Sequence, residues 1–267
     1  ARHCLFTNNE NGILTANSNQ GDILIEYSEF GYNGYGDGYS HNLYIGHVNK
    51  LTFRHNYSHH AKVGHNLKSR AKENYILYNR IMDEQTGNSS RLIDLPNGGY
   101  SLVMGNLLMQ GELAENNNLV GYGLEGLVNE APHEFYLINN TMVNKRAASC
   151  LFVSVKDGTA VSTISNNIFA GTGEMLSGPV HVNGPNLMLT DIAEVGFVAE
   201  EFYDYRLTAS SPAIDLGREQ PSLMTPDHVY VHVAETEPRP LVGSAIDLGA
   251  YEFGEVSEVE AGIAPAN

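Results

Sequence analysis

Basic side chains are scarce in this sequence: 15 lysines and arginines stand against 31 acids, for a formal net charge of −16. As a whole such a chain repels nucleic acid and anionic membrane surfaces, so neither is expected as a partner. Cysteine is nearly absent. Cys4 and Cys150 lie towards opposite ends of the repetitive region, and no bridge between them is expected in an elongated fold. No apolar run approaches the roughly 18 residues of a membrane span. No secretory leader is evident, yet residues 1–8 already read as structured, so the chain reads as a mature form or a piece of a longer protein. Nucleotide-binding loops, serine-hydrolase elbows and zinc-finger spacings are missing as well.

What is present is turn chemistry. The chain has 27 glycines and abundant asparagine, and both residues favour turns and left-handed backbone. Hydrophobic content of 42% with 17% charged residues argues against disorder. This composition points to an all-β chain with many corners.

A pattern recurs in it: a short β-branched or aliphatic run, then Asn, then an apolar residue. It ends at Asn56, Asn79, Asn106, Asn140 and Asn167, at spacings of 23, 27, 34 and 27 residues, with a related copy lacking Asn at residues 23–30. That period fits one turn of a right-handed parallel β-helix, with asparagines bonding above and below in a ladder. Uneven spacing means inserted loops, the longest expected in the polar stretch 111–118. About seven coils are expected between residue 10 and residue 180, followed by a non-repeating C-terminal capping segment at 181–254 and an acidic tail at 255–267.

A second strand precedes each of these. His41-Asn42-Leu43-Tyr44 returns as His65-Asn66-Leu67-Lys68, and residues 90–94 supply the next copy. If Leu43, Leu67 and Leu92 point inward, alternation turns Asn42, Tyr44, Asn66, Lys68, Arg70 and Arg91 outward on one sheet face. The facing of Ile93 and Asp94 is ambiguous in this scheme. Asp94 is a candidate cap for the turn that Pro96 to Gly99 demands.

The runs DYRLTASSPAIDLG (204–217) and RPLVGSAIDLGAYE (239–252) resemble the closing segment of secreted bacterial β-helix proteins of the pectate-lyase-like superfamily. The resemblance implies a cap that seals the open end of the solenoid, and a secreted or periplasmic location.

Seven of the 15 basic residues fall within residues 50–80, where Glu73 is the only acid. Such a basic island on an acidic chain suggests a site for an anionic ligand. Six of the 11 histidines lie between His41 and His65, among them His59 and His60. They support either substrate hydrogen bonding and stacked polar ladders or, with no zinc-type spacing behind it, a metal cluster; no metal site is expected. Residues 64–79, continuing to Arg91, resemble the catalytic coils of chondroitinase-B-type polysaccharide lyases, lyase family six. The resemblance implies that Lys68 stands where the family has its base and Arg91 where it has a second catalytic cation. The family also holds calcium through carboxylates just before that lysine. Here those positions fall near Val63 and His65, so no calcium site is implied and no cofactor is expected.

The leading reading is therefore a lyase that cleaves a uronate-containing, anionic polysaccharide by β-elimination. Lys68 or His65 would be the base, its lysine form favoured by clustered cations that lower an ammonium's pKa, and Tyr44 or Tyr39 the acid. Arg70 or Arg91 would hold the carboxylate, with His41, Asn42, Asn66, Arg70, Tyr39 and His60 as further substrate contacts. A non-catalytic glycan-binding or cell-surface β-helix remains open. A glycoside hydrolase is the third reading, with Asp37, Asp83 and Asp94 as the only acids considered near the island and no Asp-Asp pair. Repulsion among Lys68, Arg70 and Arg91 would be offset by an anionic ligand.

Overall fold

The computed structural model describes residues 1–18 and 20–254. The acidic tail expected at 255–267 lies outside the described residues.

Three parallel sheets, of seven, eight and seven strands, stack along one axis as a right-handed β-helix. Each coil contributes one strand to each sheet in turn. Sheet A runs through Asp22–Glu26, Lys50–Arg54, Glu73–Leu77, Tyr100–Met104, Glu134–Ile138 and Val161–Ser165. Sheet B includes Glu29–Gly31, Tyr57–His59, Arg80–Met82, Leu107–Gln110, Thr141–Asn144 and Ile168–Ala170. Sheet C includes Leu43–Ile45, Leu67–Ser69, Ile93–Leu95, Asn118–Tyr122 and Cys150–Val155. Pairing begins at Leu5–Thr7 and continues to Leu187–Leu189, so the coils start before residue 10 and run past residue 180. Helix is confined, among the described residues, to three short 3-10 turns.

The interior is built by register. On sheet A, Ile25, Phe53, Ile76, Val103, Leu137 and Ile164 stand directly above one another, all buried. Alternation requires this, because every second side chain of a strand faces the same way. Each such side chain contributes about 1.5–3 kcal/mol by leaving water.

The corner between sheets A and B carries the asparagine ladder. Each Oδ1 accepts the backbone N–H and the side-chain amide of the asparagine one coil earlier: Asn79 from Asn56, Asn106 from Asn79, Asn140 from Asn106, and Asn167 from Asn140, at 2.9–3.2 Å. The ladder extends to Asn186. The left-handed bend falls on the residue before each of these five asparagines, at His55, Tyr78, Gly105, Asn139 and Asn166, and at Tyr27 before Ser28 in the coil that lacks the asparagine. His3, Tyr27, His55 and Tyr78 stack there in a second column, 5.0–5.5 Å apart.

The non-repeating C-terminal segment packs against sheet B. Val195, Tyr205, Leu207, Val229, Tyr230, Leu248 and Tyr251 pack on the outward side chains of sheet B from Tyr57 to Ala170. Contacts reach as far back as His55 and Tyr57, whose rings meet His228 and His232, and the Tyr78 hydroxyl donates to Asp227 at 2.8 Å. The segment therefore lies along the flank of the solenoid. The cause is visible in sheet B itself, whose outward positions Met82, Leu107, Met109, Val143 and Ile168 are apolar and need cover.

Candidate functional site

The site is a row on the outside of sheet C. Tyr44 pairs with Lys68, Lys68 with Asp94, and Asp94 with Gly121, so their side chains lie side by side across successive coils. Neighbouring strands are about 4.8 Å apart, close enough for charged groups in such a row to meet.

Lys68 Nζ lies 3.1 Å from Asp94 Oδ2 and 2.5 Å from Glu125 Oε1. Arg70 donates to Tyr44 Oη at 2.7 Å, to Asn97 Oδ1 at 2.6 Å and to Glu125 Oε2 at 2.5 Å. Arg91 reaches Asp94 Oδ1 at 3.4 Å. Its stem passes over Gly121, where a Cβ would stand only 3.3 Å from the Arg91 Cδ and Nε. Asp94 is thus the hub of the row, not a cap for the following turn.

His41 and His65 occupy one register and stack 5.0 Å apart, almost parallel. The backbone N–H of His65 donates to His41 Nδ1, and that of Arg91 to His65 Nδ1. A neutral ring whose Nδ1 accepts carries its proton on Nε2. Burial, and after it the adjacent positive groups, push both rings down to about 3, so both are neutral near pH 7. His65 Nε2 lies 3.4 Å from Asp94 Oδ2 without forming a hydrogen bond to it. With the Nδ1 lone pair taken by the Arg91 N–H and the proton on Nε2, His65 has no free lone pair to act as a base.

Glu125 had no place in the sequence reading. The loop 123–133 leaves Asn118–Tyr122 and folds back across the neighbouring coils. Glu125 N donates to Pro96 O at 3.0 Å, and Asn129 Nδ2 donates to Ala71 O and Gly98 O. Burial alone would raise the Glu125 carboxyl, but the bonds from Lys68 and Arg70 outweigh it and hold the group at about 2. Its 57-residue separation from Lys68 left no local signal beyond a lone acid between two turn glycines, Gly123 and Gly126.

Other expected residues stand elsewhere. Asn42 and Asn66 are fully buried. They form an internal chain in which Asn42 Nδ2 bonds Asn66 Oδ1 at 2.9 Å and Asn66 Nδ2 bonds Asp83 Oδ1 at 3.3 Å. They precede their strands at a corner, where the alternation of a strand does not apply, and cannot touch a ligand on the outer face. The third register is also one residue off: Leu67 pairs with Ile93, not Leu92. Tyr39 projects into solvent from the loop before Leu43–Ile45, 86% exposed. His60 belongs to a different cluster near sheet B, stacked on Tyr32 at 4.6 Å and bonded to His59 at 2.7 Å.

The basic island is dispersed for a geometric reason. A 31-residue run exceeds one coil, so it circles the solenoid. Lys50 pairs with Asp22 and Arg54 with Glu26 on sheet A, while Arg80 lies on sheet B against Glu84. Lys68 and Arg70 remain at the site, joined by Arg91. Their mutual repulsion is already relieved by Asp94 and Glu125, so repulsion alone does not demand an external anion.

No family model, curated protein or solved structure matches the chain. The site must be judged on its own chemistry. It offers cationic and hydrogen-bond donors around two carboxylates that already share a lysine ammonium, which does not fit a calcium ion between them. Both carboxylates contact the same Lys68 ammonium. Asp94 is 1% exposed and Glu125 is held ionised, so neither is placed as the proton donor that hydrolysis needs. A cavity of about 460 Å³ lies apart, beside Arg218, Gln220 and Leu241. Its buried Arg239 is taken up by Glu252 and backbone carbonyls.

Proposed function

We propose that this protein engages a uronate-containing polysaccharide on the outer face of sheet C and cleaves it as a lyase, by β-elimination. The observation that carries the reading is the gathering of His41, Tyr44, His65, Lys68, Arg70 and Arg91 along three successive coils. In such a reaction a base removes the proton beside the carboxylate, a carbon–carbon double bond forms, and the glycosidic carbon–oxygen bond breaks. Arg70 or Arg91 would meet the carboxylate and the charge that develops on it. Tyr44 Oη accepts from Arg70, which leaves its own O–H to protonate the departing oxygen. Of the two candidate bases Lys68 remains, and it must give up its contacts to Asp94 and Glu125 first. The same reading carries a secreted or periplasmic location and a bacterial source.

That last requirement favours a second reading, a glycan-binding β-helix without chemistry. One experiment separates them. Alginate, pectate and glycosaminoglycans are each incubated with the protein, and ultraviolet absorbance of unsaturated uronate is followed alongside retardation in polysaccharide gels. Rising absorbance with at least one polymer is expected. Retardation without absorbance selects the binder, and neither signal sinks the carbohydrate reading.

A further inference from the structure

We infer that Glu125 stands in for a ligand carboxylate: the Lys68–Arg70 pair is a carboxylate subsite, which a uronate-bearing ligand occupies by displacing Glu125. The inference rests on the anionic-glycan reading above and specifies how the ligand is held.

The contact has the form in which a free carboxylate is bound. One oxygen of Glu125 meets Lys68 Nζ and the other meets Arg70, each at 2.5 Å. Two charge-assisted bonds to two different cations fix both position and orientation. Burial is uneven across this contact. The Lys68 and Arg70 side chains are 9% and 17% exposed, while Glu125 is 45% exposed. An anion arriving from solvent therefore meets Glu125 at the outer surface and the cations beneath it.

The cations are also held without Glu125. Lys68 keeps Asp94, and Arg70 keeps Tyr44 Oη and Asn97 Oδ1. A subsite that stays in place when its occupant leaves costs little to reorganise. Glu125 is attached through the backbone bond of its own N–H to Pro96 O, so rotation of its side chain is enough to vacate the position. Once it leaves, Lys68, Arg70 and Arg91 face Asp94 alone, and the row carries two uncompensated positive charges. Because Glu125 is ionised across the neutral range, a competing anion displaces it and mild acid does not.

The test uses galacturonate and glucuronate as probes, with methyl glucoside as the neutral control, titrated calorimetrically into wild type, Glu125→Ala and Glu125→Gln. The glutamine variant keeps the shape of the turn if alanine disturbs it. Both variants should bind a uronate on the order of tenfold more tightly than wild type, the scale of one charge-assisted contact. Adding Arg70→Met should abolish the gain. The inference is overturned if both variants keep the wild-type circular dichroism spectrum and gain no uronate affinity, or gain as much for the glucoside. If polymers are retained or cut by wild type and neither variant gains, the glycan reading stands and this subsite falls. If the variants gain and no polymer is retained or cut, the subsite stands and the polysaccharide reading falls.

Discussion

Lys68 is almost enclosed between two carboxylates, one of them the buried Asp94. Removing it would therefore cost stability as well as any ligand contact. Lys68→Ala leaves Asp94 with only the longer approaches of His65 and Arg91, and we expect a loss of about 2–4 kcal/mol in urea denaturation. Lys68→Met combined with Asp94→Asn deletes both charges together and should recover most of that loss, without restoring glycan retention. A double variant as unstable as the single would show that Asp94 is not the cause. At this scale the sequence was legible wherever a strand held the residue. Tyr44 and Lys68 were aligned from the 24-residue repeat, and they pair. Asn42 and Asn66 were misread because they sit at a corner just before the strand, where the side chain of a short amide serves the backbone.

Among the elements, the asparagine ladder was the clearest feature of the sequence. Its rungs at Asn56, Asn79, Asn106, Asn140 and Asn167 bond as the repeat required. Asn106 is fully buried, accepts from Asn79 and donates to Ile76 O, Met104 O and Asn140 Oδ1. Asn106→Ala would strand several of these groups, at a cost of about 2–4 kcal/mol. Asn186, the last rung described, is only partly buried, so Asn186→Ala should cost clearly less. Equal losses in chemical denaturation would argue that the ladder does not act through burial. The loops were less legible than the strands. The stretch 111–118 was singled out for its polarity, yet Asn118 opens a strand and the loop that reaches the site is 123–133.

Over the whole molecule, acidity should act through histidine. His41 and His65 are pushed down to about 3, and His55, His60 and His232 to about 4, in each case chiefly by burial. An unfolded histidine titrates near about 6.5. The folded pKa is depressed for a base, so the unfolded chain takes up protons first as pH falls. The stability these rings contribute is complete above about pH 6.5 and is lost as pH falls towards their folded values. Glu125 adds a loss of the same sign at lower pH. We therefore expect Tm to fall steadily between about pH 7 and pH 5, and replacing His41 and His65 together by asparagine should flatten that slope. A Tm unchanged across this interval would mean that the buried rings are not neutral in the folded state.

The solenoid and its all-β class followed from the sequence alone, because a repeated period and a repeated turn residue are local properties that each coil must satisfy in the same way. So did the alignment of the histidine and tyrosine–lysine positions, which depends only on that period. Where the chain leaves the period, tertiary structure decided. The flank position of the C-terminal segment depends on which sheet exposes an apolar outer face. The scattering of the basic run depends on its length relative to one coil. The meeting of Glu125 with Lys68 and Arg70 depends on a loop folding back over coils that precede it, and nothing in the local sequence encodes the path of that loop.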